Sequence, residues 1–325
     1  MEIIYHCPQH IVNIRTQKGI VEAVLVYSLL QKEGGAGGPL LEMAGTTINS
    51  SISVMGNVST GPHNKTGKKE IKAKLERAGK TGILSLSEHK LKELPKGLFE
   101  IGKKLKILDL SINILEELPH DMIRHFPNIK TLKLGRNKLT SLPQLGGKGS
   151  PLVTLEANDN QLTVVDFSNC NNIEKLILSR NPLTTIPKSI LTLSKLVTLD
   201  LSYCGMKGPL FIFTQDDTSI GIMASLLELL LDGNQISAIG GEDLILIKAP
   251  KLRRLSLQYN QLSSFPALLL KSPSPLNALD LKGNPISKST FLAIDGVDDF
   301  LQRREATMKK SAATIADLSV CGLDD

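Results

Sequence analysis

Residues 105–119 read LKILDLSINILEELP and residues 129–143 read IKTLKLGRNKLTSLP. The two stretches superpose position by position, 24 residues apart: Leu105, Leu108, Leu110, Asn113, Leu115 and Leu118-Pro119 answer to Ile129, Leu132, Leu134, Asn137, Leu139 and Leu142-Pro143. Working outward, the same frame recurs around Asn160, Asn181, Asn234, Asn260 and Asn284, and once with Cys204 in the Asn place. A ninth, degenerate copy stands in front, with Leu84, Leu86, His89 in the Asn place, and Leu94-Pro95. Apolar spacings of 3, 2, 3 and 2 do not follow the 3.6-residue period of a helix. They describe a short strand whose alternate side chains point inward, followed by a turn.

This is the leucine-rich repeat pattern. It predicts an α/β solenoid of about nine repeats, curved as a horseshoe, with a parallel sheet on the concave face and a cap at each end. Each repeat buries its leucines only against its neighbours, so the leucines form one continuous apolar column. The Asn side chains are expected to satisfy backbone groups where the chain turns. The composition agrees: 54 of 325 residues are Leu, aromatics make up 4% and Trp is absent. The predicted organisation is a disordered extension or mis-assigned start over 1–54, a basic arm and cap helix over 55–80, repeats over 81–290, and a closing cap and tail over 291–325. Glu70 to Ala78 reads as the amphipathic cap helix. Phe291 to Leu301 and a charged helix through Lys310 read as the far cap, with a loosely held tail after Ser311. Met206 to Ser225 lengthens one repeat to 30 residues and reads as an extra turn of outer-face helix or loop.

Strand residues that do not face inward line the concave face, where binding concentrates. The position before each Asn holds Arg136, Arg180, Tyr203 and Tyr259, and Arg and Tyr are enriched at interface hot spots. With Lys133 and Asp200 from the strands, these residues form the candidate partner-binding set. Catalysis finds no support. The six histidines form no constellation with a nucleophile and an acid, His6-Cys7-x-x-His10 lacks a scaffold to fix a metal, and Gly61 to Lys68 has the wrong spacing for a phosphate loop. No enzyme activity, metal or cofactor is expected.

The formal charge is +6, from 38 Lys+Arg against 32 Asp+Glu. Most of that excess lies between Met55 and Lys80. Met55-Gly56-Asn57-Val58-Ser59-Thr60 fits the N-myristoylation pattern, so Gly56 becomes an acylation site if Met55 is the start. Lys65, Lys68, Lys69 and Lys72 would then supply the polybasic second signal that stable membrane residence requires. The segment has no interleaved aromatics for base stacking, which argues against nucleic acid. Four well-separated cysteines favour a reducing compartment. Three sequons at Asn49, Asn57 and Asn64, with the apolar run Ile20 to Leu30, hold open the alternative of an exported receptor ectodomain.

The repeat form around Leu105 to Pro119 resembles the Ras-group intracellular leucine-rich repeat proteins. The ends, Met55-Gly56-Asn57, Ala78-Gly79-Lys80-Thr81-Gly82-Ile83 and Asp295-Gly296 with Arg303 to Lys310, resemble the family of leucine-rich repeat-containing protein 57. That resemblance implies a small cytoplasmic, lipid-modifiable adaptor without known enzymatic activity; the chain is expected to be a monomer that binds a protein partner on its concave face. It also allows a regulatory subunit for a small GTPase or a phosphatase. The extension before Met55 and the long repeat after Cys204 depart from the family pattern.

Overall fold

The structure is a computed structural model that describes residues 2–6, 11–16, 19–23, 66–146, 150–210, 223–239, 249–311 and 321–323. The chain divides into two units, Met1–Thr60 and Gly61–Asp325. In the first, β1 (Glu2–His6), β2 (Ile11–Thr16) and β3 (Gly19–Ala23) form an antiparallel meander.

The second unit is the repeat array. Strands β4 (Ile83–Ser85), β5 (Ile107–Asp109), β6 (Thr131–Lys133), β7 (Thr154–Glu156), β8 (Lys175–Ile177) and β9 (Thr198–Asp200) follow one another, each three residues long. After β9 come β10 (Lys207–Leu210), β11 (Glu228–Leu230), β12 (Gln235–Ile239), β13 (Arg254–Ser256) and β14 (Ala278–Asp280). Nine of these build one sheet in the order β14-β13-β11-β9-β8-β7-β6-β5-β4. Every neighbouring pair in it is parallel.

The register shows why the repeat is leucine-rich. Leu84, Leu108, Leu132, Leu155, Leu176, Leu199, Leu229, Leu255 and Leu279 pair in sequence across the sheet, and all nine are buried. Burying a Leu side chain is worth about 1.5–3 kcal/mol, and here each coil gains that only when its neighbour is in place. A second inward row, Leu86, Leu110, Leu134, Ala157, Leu178, Leu201, Leu231, Leu257 and Leu281, closes the column one step further along the chain.

Helices close both ends of the array. Helix α1 spans Thr66–Thr81, longer than the stretch Glu70 to Ala78. Lys68 and Lys69 are good helix formers that extend it forward. It stops at Gly82 (φ 74°), where an added Cβ would meet the Lys104 carbonyl at 2.9 Å. Ile71, Leu75 and the fully buried Ala78 lie against the first coil. Short helices α2 (Gly97–Ile101), α3 (Met122–His125) and α4 (Ala267–Leu270) occupy the outer side of their coils.

At the far end, α5 (Lys288–Leu292) begins with the Ser287 Oγ accepting from the Thr290 N–H at 3.1 Å, and α6 spans Val297–Ser311. Phe265, Phe291 of α5 and Phe300 of α6 pack edge-on, with centroids 6.4 and 6.3 Å apart. Arg303 reaches back to donate to the carbonyls of Leu276 and Leu270. The tail corrects the expectation of a loose end. Cys321 and Leu323 are buried, and the Cys321 carbonyl accepts from the Leu281 N–H at 2.8 Å. Without it, the last strand would end on an unpaired donor.

The long coil also differs from the sequence reading. Its described part is not a helix: β10 pairs in parallel with β12 in a separate two-stranded sheet. Residues 211–222 of the insertion lie outside the described residues.

Candidate rim and concave face

The Asn ladder fixes the turn that carries the candidate site. Asn137 Nδ2 donates to the carbonyls of Leu110 at 3.0 Å and Leu134 at 2.9 Å, while its Oδ1 accepts from the Leu115 N–H at 3.1 Å. One buried amide thus joins two coils. Asn113, Asn160, Asn181, Asn234, Asn260 and Asn284 repeat this arrangement with the equivalent carbonyls. Cys204 substitutes weakly, its Sγ facing the Leu178 carbonyl at 3.5 Å. Burial pushes that thiol up to about 11. At the degenerate front copy, His89 Nδ1 lies 2.6 Å from the Ser87 carbonyl and its backbone N–H donates to Asn113 Oδ1.

The residue before each Asn has a left-handed backbone. Ile112, Arg136, Asp159, Arg180, Tyr203, Gly233, Tyr259 and Gly283 have φ between 53° and 73°. For a non-glycine residue this costs roughly 1–2 kcal/mol. The conformation bends the chain out of the strand while the N–H of every one of them from Ile112 to Tyr259 still donates to the next coil, as Arg136 does to Asn158 at 2.8 Å and Tyr203 to Asp232 at 2.6 Å. The strands end three residues before this position. Arg136, Arg180, Tyr203 and Tyr259 therefore stand on the rim of the concave sheet, in the turn, and are not strand residues as the sequence reading had them.

Along the rim, side chains on successive coils interact. Arg180 Nε lies 3.7 Å from Asp159 Oδ1, and its guanidinium sits 4.5 Å over the Tyr203 ring. The Tyr203 ring in turn lies across Gly233, where a Cβ would collide with it. Tyr259 covers Gly283 in the same way. Tyr203 and Tyr259 remain 44% and 52% exposed, so each ring is positioned yet open to a partner. Asp159, Gly233 and Gly283 belong to the same column but not to the candidate set read from the sequence. The signal available was a Tyr followed on the next coil by Gly, twice in the same column.

On the sheet itself, Glu156 stands between Lys133 at 3.1 Å and Lys175 at 3.3 Å. Asp200 Oδ1 accepts from the Ser202 N–H at 2.9 Å, which turns that carboxylate to a structural task. Lys133 and Arg136 border a hollow of about 140 Å³ with Ser111, Ile112, Gly135, Glu156 and Asn158. Arg136 is exposed and has no side-chain partner among the described residues. The structure therefore brings Arg180 to Tyr203 and Lys133 to Arg136, and leaves Tyr259 apart.

Gly56 and Lys65 lie outside the described residues, while Lys68, Lys69 and Lys72 are exposed on α1. Among the described residues no His, Cys, Asp and Glu group could hold a metal, and no helix is long and apolar enough to cross a membrane.

The family described as leucine rich repeat matches residues 82–139 and 103–162. With the nine-stranded sheet and the Asn ladder, that decides the fold. The chain carries a leucine-rich repeat domain. Solved structures agree. An internalin, InlF, from Listeria monocytogenes superposes with a TM-score of 0.52 at 20% identity, over 65% of this chain and 57% of that one. The leucine-rich repeat domain of APL1B gives 0.51 at 22% identity, over 75% and 64%. This chain thus spans less than two thirds of either, and at such identities the likeness concerns the fold. A search of curated proteins finds no match.

Proposed function

We propose that the leucine-rich repeat domain is a non-catalytic adaptor that holds a protein partner across the concave sheet and its rim. The observation that carries this reading is the Asp159–Arg180–Tyr203 stack closed by Gly233. Ordering an Arg and a Tyr in advance removes part of the entropy that association otherwise costs, and both types supply interface anchors. The adjoining hollow, where Glu156 is paired to Lys133 and Arg136 is left with an unbalanced charge, is large enough for one acidic side chain. The domain works as a monomer of the Ras-group type in a reducing compartment, a reading supported by the buried, unpaired thiols of Cys170, Cys204 and Cys321.

Affinity capture with the wild-type chain and with Arg136→Glu/Arg180→Glu tests the site. Proteins retained by wild type and lost from the double variant, at unchanged melting temperature, are the expected result. An identical set of captured proteins from both chains would remove the rim from the interface.

A membrane tether is the second element of the proposal. It is favoured by the exposed Lys68, Lys69 and Lys72 of α1, which follow the acylation pattern at Gly56. Mass spectrometry of the mature N-terminus reads it directly: a myristoylated Gly56 supports the tether. An unprocessed Met1 start would exclude it, and glycans on Asn49, Asn57 or Asn64 would point to export.

A further inference from the structure

The repeat sheet ends at β4, and α1 closes that end with one face inward. Its other face carries Lys68, Lys69, Lys72, Arg77 and Lys80, all exposed. Of the two carboxylates on the helix, Glu70 is drawn to Lys74 at 3.3 Å, and only Glu76 stands among these cations.

Folding brings four more lysines to the same end. Helix α1 leads directly into Gly82, whose carbonyl accepts from the Lys106 N–H at 2.8 Å. Lys106 Cγ passes 3.8 Å from the Cβ position of Gly82, and the Lys104 carbonyl lies 2.9 Å from it. The Lys106 carbonyl accepts from the Lys130 N–H at 2.8 Å, which joins the next coil to the group. Lys103, Lys104, Lys106 and Lys130 are exposed. Among the described residues, none of these nine cationic side chains has a hydrogen-bonded or ionic partner, and Glu100 is the one carboxylate that the added coil region from Gly97 to Lys106 presents.

So many like charges at one end repel one another. An anionic surface relieves that repulsion, and the arrangement indicates what kind of surface. The charges spread along a 16-residue helix, about 24 Å long, and over two adjoining coils. That is too broad for a single small anion. The exposed aromatics among the described residues, Tyr203 and Tyr259, belong to the rim and offer no base-stacking platform here.

We infer that this basic end, α1 together with Lys103, Lys104, Lys106 and Lys130, docks on a bilayer of anionic phospholipid without needing an acyl chain. The inference rests on the membrane reading of α1 and names the surface that makes the contact, but it does not depend on Gly56. Docked by its β4 end, the array rises from the bilayer and leaves the rim beside the concave sheet open to a partner.

Co-sedimentation of the unacylated full chain with vesicles tests it. Vesicles with about 30 mol % phosphatidylserine should retain the chain at low salt, pure phosphatidylcholine should not, and added salt should release it. Lys103→Glu/Lys104→Glu/Lys106→Glu/Lys130→Glu should lower retention by at least about tenfold, whereas Lys251→Glu on a distant coil should leave it unchanged. If the quadruple Glu variant fails to fold, the Lys→Gln version should fold and still lose most of the retention. Equal binding to both vesicle types, or no effect of the four substitutions, would overturn the inference. Displacement from the vesicles by an equal charge concentration of duplex or single-stranded oligonucleotide would reassign the surface to nucleic acid. Because the assay contains no myristate, its failure leaves acylation at Gly56 to be judged separately by mass spectrometry.

Discussion

Two columns of residues run side by side along this molecule, one chain position apart, and they obey opposite rules. The inner column is Asn at seven of the eight regular coils, with Cys204 at the other. The rim column beside it holds Ile, Arg, Asp, Arg, Tyr, Gly, Tyr and Gly. Both columns are fixed by the same turn. In the inner one the fold needs a particular side chain, because buried carbonyls and an N–H from two coils must be paired at once. In the rim the fold needs only a backbone angle, φ between 53° and 73°. The side chain there is left over for other purposes. That division separates what holds the array together from what it can offer to a partner.

Substitutions sharpen or break this contrast in a clear order. The largest effect belongs to the column that both of them frame. Leu178 is fully buried, so Leu178→Asp forces a carboxylate among apolar layers and should cost more than about 4 kcal/mol. Circular dichroism should show a collapsed or much less stable chain, and an unchanged melting curve would mean the register is wrong.

Next comes the inner column. Asn137→Leu orphans the carbonyls of Leu110 and Leu134 and the N–H of Leu115. A loss of about 3 kcal/mol or more in urea unfolding is expected. The equivalent rim substitution, Arg136→Leu, should change stability by well under about 1 kcal/mol. Similar losses from both would erase the distinction drawn here.

Gly233→Ala should cost about 1–2 kcal/mol, since Ala must take a left-handed backbone and also displace the Tyr203 ring. Tyrosine fluorescence should report greater mobility of that ring, and capture of partners should weaken. If stability falls while the tyrosine signal and capture persist, the stack is not part of the interface.

The exception in the inner column gives a smaller, pH-dependent effect. The Cys204 thiol is raised by burial from its ordinary 9.0 to about 11. The protonated thiol therefore favours the folded state fully below pH about 9, and this contribution is lost as the pH rises through about 11. Cys204→Asn should restore an amide at this coil and flatten that alkaline decline. An identical decline in the variant would assign it to other groups, among them Cys170 and Cys321, which burial raises to about 11 and about 12.

The smallest expected change in stability is that of Arg136→Gly. Glycine takes the left-handed angle without a Cβ penalty, so the melting temperature should hold or rise slightly while partner capture falls. Undiminished capture would leave Arg136 without a role at the rim.

Much of the architecture was legible because the repeat writes it many times over. The spacing of Leu105, Leu108, Leu110 and Asn113 gave strand, inward face and turn, and the copies gave the parallel stacking. The pairing of Leu84 through Leu279 follows that reading without a slip. The candidate rim residues were also in the text of the chain, but read as strand residues, whereas they stand in the turn three residues past the strand ends. Hydrophobic spacing marks where a strand faces inward and is silent about where the backbone leaves it. The closing contact from Cys321 to Leu281 was illegible for another reason. It joins two segments 40 residues apart and carries no periodic signal.

Sequence alone determined what repeats: the coil length, the dry column and the amide ladder, because each is dictated by local patterns that a neighbour copies. Folding decided what happens once. It set Arg180 on Tyr203, laid Tyr203 over Gly233, and gathered Lys103, Lys104, Lys106 and Lys130 beside α1. These partners are far apart along the chain and meet only because stacking brings one coil within reach of the next. Pairing energies between such residues depend on distance in space, and no spacing in the sequence encodes that.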